Sequence, residues 1–216
     1  MKAICLLIGL LLAPLAAGAR TAADFFASAP DKVIRLLPQS TRLDMLDYFK
    51  FGSTRPSSNA FQGEAILKAL SDRVVSFEVD KGVGMQIAVL PSARQDTVLA
   101  LVTTLSTPSP ISSISFYDKD WNELKNTFFH EPQNVDWLTT KGKKERAEVA
   151  TKLPFVPVSY SFDPDATILR AVNEAAVYLD KDEFKQLEPM LVLTKVYTVA
   201  FPKFKLLTPD GPAKGN

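Results

Sequence analysis

The strongest periodicity in the chain lies between residues 66 and 117, where turn residues separate four apolar segments. Segments 73–79 and 85–89 alternate apolar and polar positions, which is the period of two expected of a strand with one buried face. Segment 98–102 is apolar throughout, as in a central strand that is covered on both faces. Apolar residues at both ends of segment 114–116 indicate a fourth strand. The pattern predicts a meander of antiparallel strands on which the rest of the chain packs.

Helical signals precede this meander. Thr21 with Asp24 three residues later is a capping-box pattern and predicts a short helix that begins just after Thr21. The spacing of apolar residues over 31–37 continues a helical face, and residues 41–50 predict a further helix with Gly52 as its stop. The first part of the chain is therefore predicted to be helices followed by strands.

The second part of the chain is less regular, and its elements come from shorter patterns. Strands are predicted over 156–162, 167–178 and 191–201, with helices over 145–153 and 181–187. The fold class that follows is α+β, with an antiparallel β-meander packed against N-terminal helices. Because the second part loosely repeats the order of helix and then strands, a duplication of a helix-plus-meander unit stays open.

The first nineteen residues have the composition of a signal peptide. Lys2 gives a positive start, residues 3–12 are apolar, and Ala17 and Ala19 offer a small-x-small cleavage site. We predict cleavage after Ala19, and the apolar run is too short to persist as a membrane-spanning helix. The chain then divides into residues 20–124, with helices and a four-strand meander, residues 125–207, a second lobe of the same compact unit, and a flexible tail over 208–216.

Cleavage at this position changes what chemistry the mature chain can perform. It removes Cys5, the single cysteine, so that disulfides, thiol catalysis and thiolate metal sites are excluded. It also removes one lysine, which leaves equal numbers of basic and acidic residues. A balanced charge gives no reason to expect nucleic acid or an anionic membrane as a partner.

Two acidic or glycine-containing segments resemble ligand loops, and both fail on detail. Asp118 to Asn122 matches the start of a calcium loop, but Glu123 stands where glycine must turn the chain and Phe129 where the bidentate acid belongs. We therefore predict a turn in which an Asp side chain bonds the backbone. Gly82 to Gly84 lacks the helix that a phosphate-binding loop requires, and a hairpin turn is predicted there.

Side chains for acid–base or nucleophilic catalysis are scarce. His130 is the only histidine, Glu131 is its one acidic neighbour, and no nucleophile motif accompanies them. We therefore assign no catalytic, cofactor-binding or metal-binding residue from the sequence. Pairs of Asp and Glu suited to glycoside hydrolysis form only in three dimensions and stay open.

Four aromatic residues stand close together in the least regular part of the chain. Trp121, Phe128, Phe129 and Trp137 are a candidate binding patch if they are exposed, since such patches mark interfaces. The competing interpretation is that they pack in the core, where most large aromatic side chains lie.

Several stretches carry a resemblance to a known family. They are the signal peptide followed by residues 23–30 (ADFFASAP), residues 42–49 (RLDMLDYF), residues 69–72 (ALSD), residues 116–121 (FYDKDW) and residues 178–183 (YLDKDE). The chain resembles a family of exported Bacteroidales proteins that is defined by a domain of unknown function (type 3256). The resemblance implies a Gram-negative host and an envelope location, and it carries no active-site residue.

Together these observations favour a non-enzymatic protein that is exported to the periplasm or secreted. We predict that it binds another protein or a surface polymer, without a cofactor. The alternative is a carboxylate-dependent hydrolase that acts on glycans. Two carboxylates facing each other in a deep cleft would favour the hydrolase, and a flat face with exposed aromatics would favour binding.

Overall fold

The computed structural model describes residues 19–53, 55–92, 96–139 and 142–207. The predicted signal peptide, except its last residue, and the predicted tail lie outside these ranges. The helices are α1 (Ala22–Ser28), α2 (Gln39–Lys50), α3 (Lys143–Lys152), α4 (Ala175–Tyr178) and α5 (Lys181–Leu187), with 3-10 helices at Asn134–Trp137 and Glu188–Met190. None of the helices in the described ranges is long and apolar enough to span a membrane.

Eleven strands form two antiparallel sheets in the described part of the chain. The strands of the first sheet are β1 (Ser57–Ser58), β2 (Glu64–Leu70), β3 (Val74–Asp80), β4 (Val83–Val89), β5 (Val98–Leu105), β6 (Ile111–Asp118) and β7 (Glu123–Leu124). The strands of the second sheet are β8 (Val158–Phe162), β9 (Ile168–Asn173), β10 (Thr194–Ala200) and β11 (Lys203–Leu207). The predicted α+β class is confirmed.

The first sheet is a meander in which the seven strands neighbour one another in chain order. The four predicted strands are β3 to β6, and the predicted hairpin at Gly82 joins β3 to β4. Gly82 has a φ of 81°, a conformation that side chains with a Cβ rarely adopt. The sheet is larger than the predicted four strands because β2 and the two-residue strands β1 and β7 extend it.

The helices α1 and α2 cover one face of this sheet. The predicted capping box is present, since the Thr21 side chain accepts from the Asp24 N–H and Asp24 accepts from the Thr21 N–H. It starts α1 so that Phe26 packs on Phe77 of β3, with ring centroids 4.6 Å apart. The sheet residues in this first core are Ala65, Leu67, Val75, Phe77, Val79, Ile87, Val89, Leu99 and Leu101.

The helical face predicted over 31–37 is wrong, because this segment forms a series of turns. It lies between two prolines, and the residue before a proline is held away from the α-helical region. Its apolar residues still reach the first core, where Ile34 and Leu37 are buried. The buried Arg42 replaces the missing helical hydrogen bonds, because its guanidinium donates to the carbonyl oxygens of Ala29 and Leu37.

The second sheet covers the other face of the first sheet. Residues of β3 to β6 that alternate with the first set pack against β8, β9 and β10 in a second core. Tyr160 and Phe162 of β8 donate backbone N–H groups to the Ser112 hydroxyl (3.0 Å) and the Gln86 side-chain carbonyl (2.7 Å). The described chain therefore has three layers, in the order helices, first sheet and second sheet.

A third, smaller core lies at one end of the second sheet. Val149 and Leu153 of α3 pack there against Ala175, Leu187 and Leu191. This arrangement confirms the predicted helices near residues 145 and 181.

The predicted strand over 191–201 is shorter than expected, since β10 covers Thr194–Ala200. Strand β11 is an element that was not predicted, and it follows at Lys203–Leu207 after a turn at Pro202. Its five residues alternate between lysine and apolar side chains up to Leu206, which is the signal that could have revealed it.

Candidate functional site

The four aromatic residues of the predicted binding patch are mostly buried, so the exposed patch is wrong. Trp137 is 0% exposed, Phe129 3% and Trp121 4%, and Phe128 is half-buried. Regular structure in their segment is limited to β7 and the 3-10 helix at Asn134–Trp137. The large rings instead hold the segment on the sheets by filling space in their cores.

The aromatic residues are divided between the two cores. Trp121 has a φ of 63°, which turns its ring back to contact Tyr117 at a centroid distance of 5.4 Å in the helix-side core. In the core between the sheets, Phe129 contacts the rings of Tyr160 and Tyr197 edge-on, at 5.7 and 5.3 Å. Phe128 packs on Phe116 and Phe201 in the same core. These contacts support the core interpretation of all four residues.

The Asp118–Asn122 segment is a turn, as predicted. The Asp118 carboxylate accepts from the backbone N–H groups of Asp120 and Asn122 and from the Asn122 side chain, each at 2.9 Å. These hydrogen bonds lower the pKa of Asp118, the one from the Asn122 side chain most. Among the described residues, no three His, Cys, Asp or Glu side chains come together to form a metal site.

Near His130, the groups whose pKa values are raised by burial include two tyrosines of the core between the sheets. His130 is exposed, and Glu131 beside it has a pKa raised by burial of its carboxyl group. Burial, and then the nearby Glu131 charge, raises the pKa of Tyr160, and burial does the same for Tyr197. Both hydroxyl groups therefore remain protonated at neutral pH, and the tyrosines are polar members of the core between the sheets.

A groove of about 500 Å³ lies where the described chain begins, and Arg20, Asp72, Arg73, Asp96 and Lys119 are among its lining residues. Arg20 stacks over the Phe25 ring at 4.1 Å and donates to the Lys119 carbonyl at 3.2 Å. Asp72 and Asp96 are exposed to solvent. Because the general acid of a glycosidase needs a desolvated carboxyl group, this open groove does not supply the cleft that the hydrolase alternative requires.

The side of the second sheet that faces away from the first sheet is open to solvent. We call it the outer face, and it includes Arg170 of β9, Thr198 of β10, and Lys203, Lys205 and Leu207 of β11. These side chains are exposed or half-exposed, whereas their neighbours along each strand face the core. The four strands of this sheet contain no Asp or Glu. The side chains that β11 places on the outer face are therefore cationic or apolar, while the Glu174 carboxylate accepts from the Ser159 hydroxyl at the β8 side of the sheet.

The strand β11 forms an edge of the second sheet, and its register shows which backbone groups are free. The Val199 N–H donates to the Thr167 carbonyl on the β9 side, so Thr198 must face β11. Thr198 is paired with Lys205, which directs the backbone of Lys205 towards β10. Because alternate residues face opposite sides of a strand, the N–H and C=O groups of Phe204 and Leu206 point away from the sheet. We call these four groups the open edge.

The other sheet edges in the described ranges are partly covered: β1 and β7 pair with two residues each of β2 and β6, which leaves residues 66–70 and 111–115 without a strand on that side. Strands β1 and β7 have two residues each. The edge strand β8 has its outward N–H groups occupied by Ser112 and Gln86 of the first sheet. No described backbone hydrogen bond outside the regular elements involves Phe204 or Leu206. The open edge is thus one place in the described chain where another strand can be added, and it lies beside the exposed cations of the outer face.

Comparison with known proteins agrees with this fold and names no activity. A solved domain of an uncharacterized protein from Porphyromonas gingivalis W83 superimposes with a TM-score of 0.73 at 18% identity, over 87% of this chain and 98% of that one. No curated protein matches the sequence. The profile of a family described as "Protein of unknown function (DUF3256)" matches residues 15–204. Since this match spans most of the sequence, the chain belongs to the DUF3256 family.

Proposed function

We propose that this protein is an exported binding module that takes up an extended segment of a partner protein along β11. The observation that carries the proposal is the open edge, whose Phe204 and Leu206 backbone groups have no partner within the described chain. Addition of a strand to such an edge is a recurring mode of protein recognition, in which main-chain hydrogen bonds supply affinity.

The side chains around the open edge support this mode of binding. Leu206 and Leu207 are 42% and 43% exposed, on opposite faces of β11. An added strand would cover both of them. Natural proteins protect unused edges with bulges, short strands, covering elements or charged side chains, especially lysine. Strand β11 has no bulge and no covering element in the described chain, but it carries Lys203 and Lys205, so a strand that is added here must tolerate their charge.

A protein partner fits this surface better than a surface polymer of sugars. Stacking of a sugar ring requires an exposed aromatic face, and the aromatic residues of the second sheet, Tyr160, Phe162, Tyr197 and Phe204, all point into the core. The outer face offers lysines and aliphatic side chains instead.

The expected location is the envelope of a Gram-negative bacterium. The signal-peptide pattern of residues 1–19 supports export. The similar structure from Porphyromonas gingivalis supports a host among the Bacteroidales.

Amide exchange in the free protein tests the register on which the proposal rests. The amide protons of Phe204 and Leu206 should exchange rapidly, whereas those of Lys205 and Leu207 should be protected by β10. Protection of all four amides without a partner would mean that another segment already covers the edge.

Partner capture tests the function itself. Leu206→Pro removes an outward N–H group and places a ring at the edge, where proline is tolerated in a strand. Leu206→Ala is the matched control, because it shortens the same side chain and keeps the N–H. We expect an envelope protein that the unmodified chain captures to be lost with Leu206→Pro and retained with Leu206→Ala, with both variants folded by circular dichroism. Equal capture by the two variants would contradict strand addition at β11.

A further inference from the structure

The outer face has a charge that constrains the strand it can accept. The cations Lys203 and Lys205 project from β11, and Arg170 projects from β9 on the same side. None of them forms a salt bridge with a carboxylate in the described chain, although Lys68 and Lys119 elsewhere do. Three unpaired cations on one sheet face attract negative charge.

We propose that the segment bound at the open edge is an acidic strand, with carboxylates at every second residue opposite Lys203 and Lys205. This inference rests on the proposed function and adds the chemistry of the partner. Residues directly opposite each other in paired strands share a face and lie about 5 Å apart at Cβ, which is within reach of a salt bridge. Side chains of the added strand that face Lys203 and Lys205 therefore stand two residues apart.

The positions of the partner strand that do not face Lys203 or Lys205 should be apolar, because they lie opposite the apolar residues of β11. Its residue opposite Leu207 lies on the outer face beside an exposed aliphatic side chain. Its intervening residues lie beside Phe204, which packs on the core between the sheets, and beside the exposed Leu206 on the same face of β11. The structure thus fits an alternating sequence of acidic and apolar residues.

A second copy of this chain meets like charges in two of the antiparallel registers that the open edge allows. Pairing of two β11 strands about Lys205 sets Lys205 opposite its own copy, and pairing about Phe204 sets Lys203 opposite Lys205, whereas pairing about Leu206 sets Lys205 opposite Leu207. Like charges directly opposite each other destabilise a strand pair. The lysines therefore act against self-association in those two registers and favour an acidic partner in all of them.

Three end-blocked nine-residue peptides test the inference, with valine alternating with glutamate, glutamine or lysine. Binding of each labelled peptide to the full mature chain is measured by fluorescence anisotropy. We expect the glutamate peptide to bind about tenfold more tightly than the glutamine peptide, as for two exposed charge pairs. Raised salt should reduce that difference, because it screens exposed charges.

Charge reversal provides the matched comparison. Lys205→Glu should make the lysine peptide bind more tightly than the glutamate peptide. Lys185→Glu makes the same change at an exposed position of α5 and should leave the order of the three peptides unchanged. Leu206→Pro should abolish binding of all three peptides, and Leu206→Ala should not.

The outcomes separate this inference from the proposed function. Equal binding of the glutamate and glutamine peptides, lost with Leu206→Pro, would overturn the acidic partner and leave strand addition intact. Binding that survives Leu206→Pro, or no binding of any peptide, would overturn both.

Discussion

Replacing Trp137 with alanine should unfold this protein at a markedly lower temperature. The indole ring is fully buried in the core between the two sheets, and Lys195 places its ammonium group 5.5 Å from the ring centroid. The Trp137 carbonyl accepts from the Val192 N–H at 2.8 Å, which ties the 3-10 helix to the segment before β10. Truncation would leave a large cavity between the first and second sheets, where the surrounding side chains are fixed by packing on both sides.

The expected loss is worked from the burial of this one side chain. Truncation of a buried tryptophan to alanine costs about 3–5 kcal/mol in the free energy of unfolding. At about 2–4 °C per kcal/mol for a chain of this size, the melting temperature should fall by about 10 °C. Trp137→Phe should cost less, because it keeps much of the apolar volume and removes an indole N–H that has no hydrogen-bond partner.

Chemical denaturation measures these differences, and Trp121 remains as the single tryptophan reporter of folding. Val135→Ala is the control, since Val135 is on the same 3-10 helix and is 50% exposed. It should change the free energy of unfolding by less than about 0.5 kcal/mol. If Trp137→Ala were as mild as Val135→Ala, the ring would lie on the surface and the aromatic segment would again be a candidate interface.

Four further substitutions test the packing of the layers and the acid response, each by denaturant unfolding. Arg42→Ala should cost about 3 kcal/mol because it leaves two buried carbonyl groups unpaired, whereas Asp31→Ala should cost less than about 1 kcal/mol because its carboxylate is 70% exposed. Gln86→Leu should cost about 1–2 kcal/mol, since the Phe162 N–H loses its acceptor at the buried edge of β8. Asp24→Ala should cost about 1 kcal/mol at neutral pH, as for other helix caps. The hydrogen bonds from the N-cap residue lower the pKa of Asp24, so its contribution is complete above the usual carboxyl pKa and disappears as the pH falls through the folded-state value. Equal losses for the Asp24 variant at neutral and strongly acid pH would refute the capping account.

The sequence predicts the elements whose signals are local. Strands β3, β4 and β6 follow from alternation and β5 from its continuous apolar run. Helix α1 follows from the Thr21 and Asp24 capping box, and the Asp118 turn follows from the hydrogen-bonding capacity of its own side chain. Strand β2 was not predicted, because its residues EAILKAL favour a helix in isolation and a bulge between Leu67 and Ala69 breaks its alternation. Pairing with β3 outweighs that local preference.

The features on which the proposed function rests, the burial of the aromatic residues and the closure of β8, depend on contacts between distant segments. The burial of Trp137 requires the second sheet to lie against the first, which no pattern within residues 121–138 indicates. The closure of β8 requires Gln86 and Phe162, which are 76 residues apart. Such non-local pairings are the part of a fold that periodicity leaves undetermined. The predicted duplication of a helix-plus-meander unit and the proposed division into lobes remain predictions for the same reason.

The order of the layers also limits where the surface can vary without loss of stability. The first sheet is covered on both faces, so most of its side chains are fixed by two cores. The second sheet has one core-facing side, and substitutions on its outer face remove exposed side chains and should cost little. At 18% identity the Porphyromonas gingivalis domain keeps the fold over 87% of this chain, which shows that the layers tolerate extensive change. Lys203 and Lys205 should therefore contribute little to folding stability, and only the binding of a partner at β11 would require their charge. Charge reversal at these lysines should leave the unfolding free energy nearly unchanged and alter only which strand is bound, and a large loss of stability would instead make them structural.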